Sequence, residues 1–364
     1  MTRPVENALM TPCRPPRRPA ASLLACALAA LALGPGAPQA ARAQSHVHIK
    51  LATIAPKGSV YHRVLQQIGA AIRQSEGDGA TVTIYTDGSQ GGEADVVRRM
   101  RIGQLNATMM SVVGLSSIEP SVSVLQKLPL LFRSTDEIDY VGQALLPQVE
   151  KNLLAKGFVA VQWSDAGWVR FFTKEPAALP ADFKARRMFV WSGDPDQVEI
   201  MKQLGYRPVV LETADIVPGL QTGLVDTVPL VPMYALATQA DSAAPYMIDV
   251  RWAPVFGAIV FSRQSWESMR EATRSAVRAV AAQGGRELRE YAVRADIEAV
   301  AAMQKRGLKV VHLSAEQERG WQAFAQQLYP LIRGRTLPAA TFDEALKLVG
   351  EYRAQHPAAA GGAR

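Results

Sequence analysis

The five histidines of this chain, His46, His48, His62, His312 and His356, include no pair at the i, i+4 spacing by which two imidazoles on one helix face hold zinc. A different arrangement stands at Gln44-Ser45-His46, where cleavage after Ala43 would expose an amine, two amides and an imidazole to Cu(II). An unstructured terminus is the competing reading there, and no metal or cofactor is expected. Gly-x-Ser-x-Gly elbows, phosphate-binding glycine loops and dinucleotide fingerprints do not occur. What remains is aromatic and basic, suited to holding a ligand: Trp163, Trp168, Phe171, Phe172, Phe189, Trp191 and Tyr234, with Arg170 among them. In the segment Arg187-Met188-Phe189-Val190-Trp191, period two puts Phe189 and Trp191 on one strand face and Met188 and Val190 on the other. Arg170 shares its alternation with Trp168 and Phe172, and either meets a ligand anion or closes a salt bridge.

The elements that must position these side chains alternate between helix and strand. Strand-like segments run over 47–51, 81–85, 107–113, 158–163, 169–173 and 256–261. Ser59 is placed to cap a helix whose apolar stripe is Val60, Val64, Ile68, Ala71 and Ile72. This alternation predicts an α/β fold with largely parallel sheets covered on both faces. Gly103-Gln104-Leu105 and Gly223-Leu224-Val225 both stop a helix at glycine and start a strand, as a left-handed position after a helix favours. Residues 266–305 read as long amphipathic helix, with a break at Gly284-Gly285.

Several blocks carry a family resemblance through their order. They are Tyr85-Thr86-Asp87-Gly88-Ser89-Gln90-Gly91-Gly92-Glu93, the stretch from Val97 to Leu105, Leu128-Pro129-Leu130-Leu131-Phe132, Asp182-Phe183-Lys184 opening a strand, and Leu220-Gln221-Thr222-Gly223-Leu224-Val225-Asp226. Together the chain resembles the solute-binding proteins of tripartite ATP-independent periplasmic (TRAP) transporters, the DctP type. The resemblance implies a two-lobed periplasmic-binding-protein-like fold, each lobe a sheet flanked by helices, with long bridging helices. Lobe I is expected over 44–165 with 254–300, and lobe II over 166–253 with 301–364. It further implies a ligand receptor rather than an enzyme, with a small organic solute in the interlobe cleft and membrane permease subunits as partners. The family's arginine for the substrate carboxylate falls on Phe189, and its polar pocket residues fall on Pro229, Leu230, Met233 and Tyr234. Leaving a buried carboxylate without its partner costs roughly 3–5 kcal/mol. The expected ligand is therefore partly apolar or aromatic, met by Phe189, Trp191, Trp168, Arg170, Gln90, Pro229, Leu230, Met233 and Tyr234. A sensor or shuttle for a hydrophobic molecule and a periplasmic enzyme are the competing readings.

The amino terminus and the charge agree with export. Arg14, Arg17 and Arg18 precede an apolar run from Ala20 to Leu33, and Ala41-Arg42-Ala43 offers a small-x-small cleavage site, so residues 1–43 read as a signal peptide. Arg17-Arg18 also admits twin-arginine export. Cys13 and Cys26, the only cysteines, both fall in that segment, which leaves the rest without thiol chemistry. Of the formal charge of +7, the segment supplies +4 from five arginines against Glu6, leaving +3 and no nucleic-acid partner implied.

Overall fold

The computed structural model describes residues 47–77 and 79–357. The expected signal peptide and the Gln44-Ser45-His46 site lie outside the described residues. The strands are β1 (His48–Thr53), β2 (Thr81–Tyr85), β3 (Ala107–Ser111), β4 (Phe158–Trp168), β5 (Arg170–Thr173), β6 (Arg187–Trp191), β7 (Arg207–Leu211), β8 (Thr227–Leu230), β9 (Tyr246–Ile248), β10 (Pro254–Ser262) and β11 (Lys309–Val311). The helices are α1 (Val60–Glu76), α2 (Glu93–Arg101), α3 (Val112–Ser116), α4 (Thr135–Ala155), α5 (Pro195–Gln203), α6 (Ile216–Thr222), α7 (Pro232–Thr238), α8 (Ala240–Ala243), α9 (Arg263–Ser268), α10 (Glu271–Lys305), α11 (Ala315–Ile332) and α12 (Ala339–Gln355).

These elements form a two-lobed α/β fold. Lobe I is a five-stranded sheet in the order β2-β1-β3-β10-β4, and lobe II a six-stranded sheet in the order β11-β9-β5-β8-β6-β7. Both sheets are mixed rather than largely parallel: β10 runs antiparallel to β3 and β4, and β5 antiparallel to β8 and β9. The reason is the chain path. β4 leaves lobe I and continues into β5 of lobe II, while β10 carries the chain back from lobe II. The two crossings are hydrogen-bonded to each other, since Val169 N–H donates to the Ala253 carbonyl at 2.8 Å and Trp252 N–H to the Val169 carbonyl at 3.1 Å. A pair of short adjacent crossings is the geometry of a hinge.

Local signals formed as the chemistry requires. The Ser59 hydroxyl accepts from His62 N–H at the start of α1, and Val60, Val64, Ile68, Ala71 and Ile72 are all buried. Gly103 and Gly223 both have left-handed backbone, with φ of 73° and 75°. The expected break at Gly284-Gly285 is absent, and α10 runs 35 residues through it. There the glycines serve close approach: a Cβ on Gly284 would press on Val64 of α1, and one on Gly285 would run into Gln162 of β4. The helix bridges the lobes, burying Val277, Ala281 and Leu288 with the β1 and α1 core and Ala299 and Met303 with the β6 and β8 core. Residues 339–355, assigned from sequence to lobe II, form α12, which buries Phe342, Ala345 and Val349 with the lobe I core beside α4. Arg353 holds it there through Glu137 at 2.7 Å.

Candidate functional site

The lobe II sheet presents two faces, and its register says which residues share each. Arg170 is opposite Leu230 and Phe172 opposite Val228, so these four lie on one face. Phe189 joins them, buried with Phe172, Val228, Leu230, Ala235 and Met303. Phe171, Met188 and Val190 lie on the other face, packed with Phe183, Met201 and Trp321.

On the first face Phe189 is fully enclosed, 0% exposed. Its ring meets Trp191 edge-on at 4.6 Å and 68°, and Trp191, half-buried at the strand end, donates its indole N–H to the Thr213 hydroxyl at 3.3 Å. Arg170 is buried as well, only 4% exposed, and its Nη2 donates to Asp296 of α10 at 3.1 Å. Nε lies 3.6 Å from Asp249, beyond hydrogen-bond range, so Nε and Nη1 have no hydrogen-bond partner among the described residues, nor does Oδ1 of Asp296. Burial lowers the Arg170 pKa and raises that of Asp296, and each charge opposes the shift of the other. A buried guanidinium with two idle donors is able to receive an acceptor atom, because such donors are seldom left unmet.

The two lobes touch at their strand ends. Glu93, at the start of α2, accepts from Ser111 N–H and Ser111 hydroxyl, both at 2.6 Å, and from Gly114 N–H at 3.0 Å. Burial holds its carboxyl above the ordinary range, and the charge of Glu212 from lobe II adds to this against the hydrogen bonds. The Glu212 carboxylate accepts from the Ser192 hydroxyl and packs so closely on Gly92 that a Cβ there would collide with it. Met233 of α7 packs on the lobe I core. Burial, with the Asp87 charge of lobe I as a second cause, pushes the Tyr234 hydroxyl up to about 12.

The sequence-derived candidates thus divide. Phe189, Trp191, Arg170 and Leu230 come together on one face, with Met233 and Tyr234 at the lobe contact. Trp168 is buried at the hinge opposite Pro254, and Gln90 accepts from Arg99 at 3.0 Å on lobe I. Pro229, opposite Phe171, faces the other way and borders a cavity with Trp191 at its edge. Sequence reasoning missed Asp296 and Asp249 as partners of Arg170. It also missed Glu93 and Glu212, for which the Gly-Gly-Glu turn was the available signal.

Comparison with known proteins matches this architecture. Uncharacterized protein YiiZ of Salmonella typhimurium is 27% identical over 165 residues, 44% of this chain and half of that protein's length. A TRAP periplasmic solute-binding protein from Xanthobacter autotrophicus Py2, solved with bound β-D-galacturonate, superposes with a TM-score of 0.75 at 18% identity, covering 83% of this chain and 99% of that one. Another from Desulfovibrio salexigens, with bound orotic acid, gives 0.75 at 18% identity over 85% and 99% of the two chains. A profile for bacterial extracellular solute-binding protein family 7, DctP, matches residues 51–333, and the chain belongs to that family of TRAP-type solute-binding proteins.

Proposed function

We propose that this protein is an extracytoplasmic solute receptor that closes on a small, partly apolar or aromatic organic solute and delivers it to membrane permease subunits. Family membership supports the receptor role and the permease partnership. The observation that carries the ligand class is the composition of the first face, where the two idle donors of buried Arg170 stand on the same sheet face as the Phe189–Trp191 pair. A ring packs on Trp191, which Phe189 backs from the core, and the polar group of the solute turns toward Arg170. Met233, Tyr234 and Leu230 complete the apolar side, and Gln90 and Trp168 border it. Arg170 is already balanced by Asp296 and Asp249, so its charge is not left over for a second carboxylate on the solute. Orotic acid, bound by the Desulfovibrio relative, combines one ring with one acid group in this way.

Isothermal calorimetry with orotate, benzoate and succinate tests the reading. Ring-bearing solutes should bind more tightly than succinate, and Trp191→Ala should weaken them by about 1–4 kcal/mol. Succinate as the tightest of the three, or unchanged affinity in Trp191→Ala, would overturn it. We place the mature protein in the periplasm, with Gln44 or a close neighbour as its first residue. Edman sequencing of secreted protein checks this, and an intact Met1 would contradict it.

A further inference from the structure

The second face of the lobe II sheet borders a cavity of about 170 Å³ that shares only Trp191, at its edge, with the solute reading. Its rings hold one another: Phe171 stacks on Trp321 at 5.2 Å and 30°, Trp252 meets Phe171 edge-on at 5.6 Å, and Trp252 stacks on Phe324 at 5.9 Å and 23°. The polar atoms of these walls are met within the walls. Trp321 donates to the Ala178 carbonyl at 2.8 Å and Tyr206 to that of Pro180 at 3.1 Å. One is not: the Thr336 hydroxyl is buried, its residue 7% exposed, and has no hydrogen-bond partner among the described residues. At the rim Lys127 of lobe I and Asp194 of lobe II form a buried ion pair at 2.9 Å, so the cavity is bounded by both lobes.

We infer that this cavity is a second binding site, for a single-ring aromatic molecule bearing one hydroxyl or N–H group, whose occupancy favours the closed arrangement of the lobes. Size selects one ring, since an apolar cavity of about 150 Å³ is known to hold benzene while remaining dry, and a sugar acid brings more polar groups than these walls can meet. The lone Thr336 hydroxyl selects one polar group, because a ring that satisfies it is favoured over one that leaves it orphaned. Contact with both lobes supplies the coupling. A molecule touching Lys127 and Asp194 sides together has differential affinity for the closed state, the condition for any ligand to shift such an equilibrium. The site lies on the opposite sheet face from Phe189 and Arg170, with Trp191 at the edge of both, so the substitutions that separate it from the solute reading are those deep in the cavity.

Phenol and toluene are the probes, with binding read by calorimetry and by the shift in melting temperature of the full mature chain. Phenol should bind saturably and more tightly than toluene. Thr336→Val should lower phenol affinity about fivefold while leaving toluene within about twofold, the loss of one hydrogen bond. Met201→Phe, which fills the cavity, should abolish both while leaving the affinity for orotate or benzoate within about twofold. If Met201→Phe does not fold, the Thr336→Val contrast decides alone. Absence of saturable phenol binding, or equal loss of phenol and toluene in Thr336→Val, would overturn the site.

Discussion

The two faces of one short strand, β6, are built from equally apolar residues and end in different states. On one side Phe189 is fully buried beneath helices α6, α7 and α10, with the Trp191 ring edge-on beside it. On the other, Met188 faces α5 and α11 across a cavity, because the bulky rings of Trp252, Trp321 and Phe324 brace one another and keep the helices from collapsing onto the sheet. Equal hydrophobicity therefore does not imply equal packing. Large rigid rings leave gaps where mixed aliphatic residues close them.

The largest effects should come from the sealed face. Phe189→Ala removes a fully buried ring and should cost about 3–5 kcal/mol of stability by denaturant unfolding. A loss under 1 kcal/mol would mean that this face is not closed. Arg170→Met leaves the buried Asp296 carboxylate without its hydrogen-bonded guanidinium, and a cost of similar size, about 3–5 kcal/mol, is expected. Restoring stability by adding Asp296→Leu would assign that cost to the orphaned carboxylate.

Added volume sharpens the contrast at a smaller scale. Val228→Phe on the sealed face should destabilise by roughly 1–3 kcal/mol through overpacking, whereas Met188→Phe, with the cavity beside it, should stay within about 1 kcal/mol of the parent. Equal costs would erase the distinction between the faces. The smallest effect concerns the strand-end contact. The Glu93 carboxyl is raised from its ordinary 4.5 by burial and by Glu212. The folded state therefore binds that proton more tightly, so its contribution is full below 4.5 and is lost as pH rises through the raised value. Glu212→Gln should make that decline shallower in a pH series of unfolding midpoints, and an unchanged slope would mean that the two carboxylates do not interact.

Much of the fold could be read from local pattern. The α1 stripe and its Ser59 cap depend only on spacing along one helix, and the left-handed Gly103 and Gly223 only on what a helix end demands. The failures involve partners distant in the chain. Gly284-Gly285 looks like a helix break until Val64 and Gln162 are brought against it, and α12 joins lobe I because Arg353 and Phe342 find Glu137 and the α4 core there. Pro229 was grouped with Leu230 from its place after the turn, yet neighbours on a strand point to opposite faces.

The sequence by itself determined that Phe189 and Trp191 share a face and that Arg170 stands on the preceding strand, and its resemblance to the TRAP family carried the reading as a receptor. The first two follow from alternation along a strand, which needs no partner, and the last from the order of motifs that carries the resemblance. Only the tertiary structure decided that Phe189 is enclosed, that Arg170 meets an aspartate 126 positions away while keeping two donors idle, and that a cavity borders the other face. Alternation specifies direction relative to the strand, whereas enclosure depends on what packs against it, and here that is supplied by helices remote in the sequence.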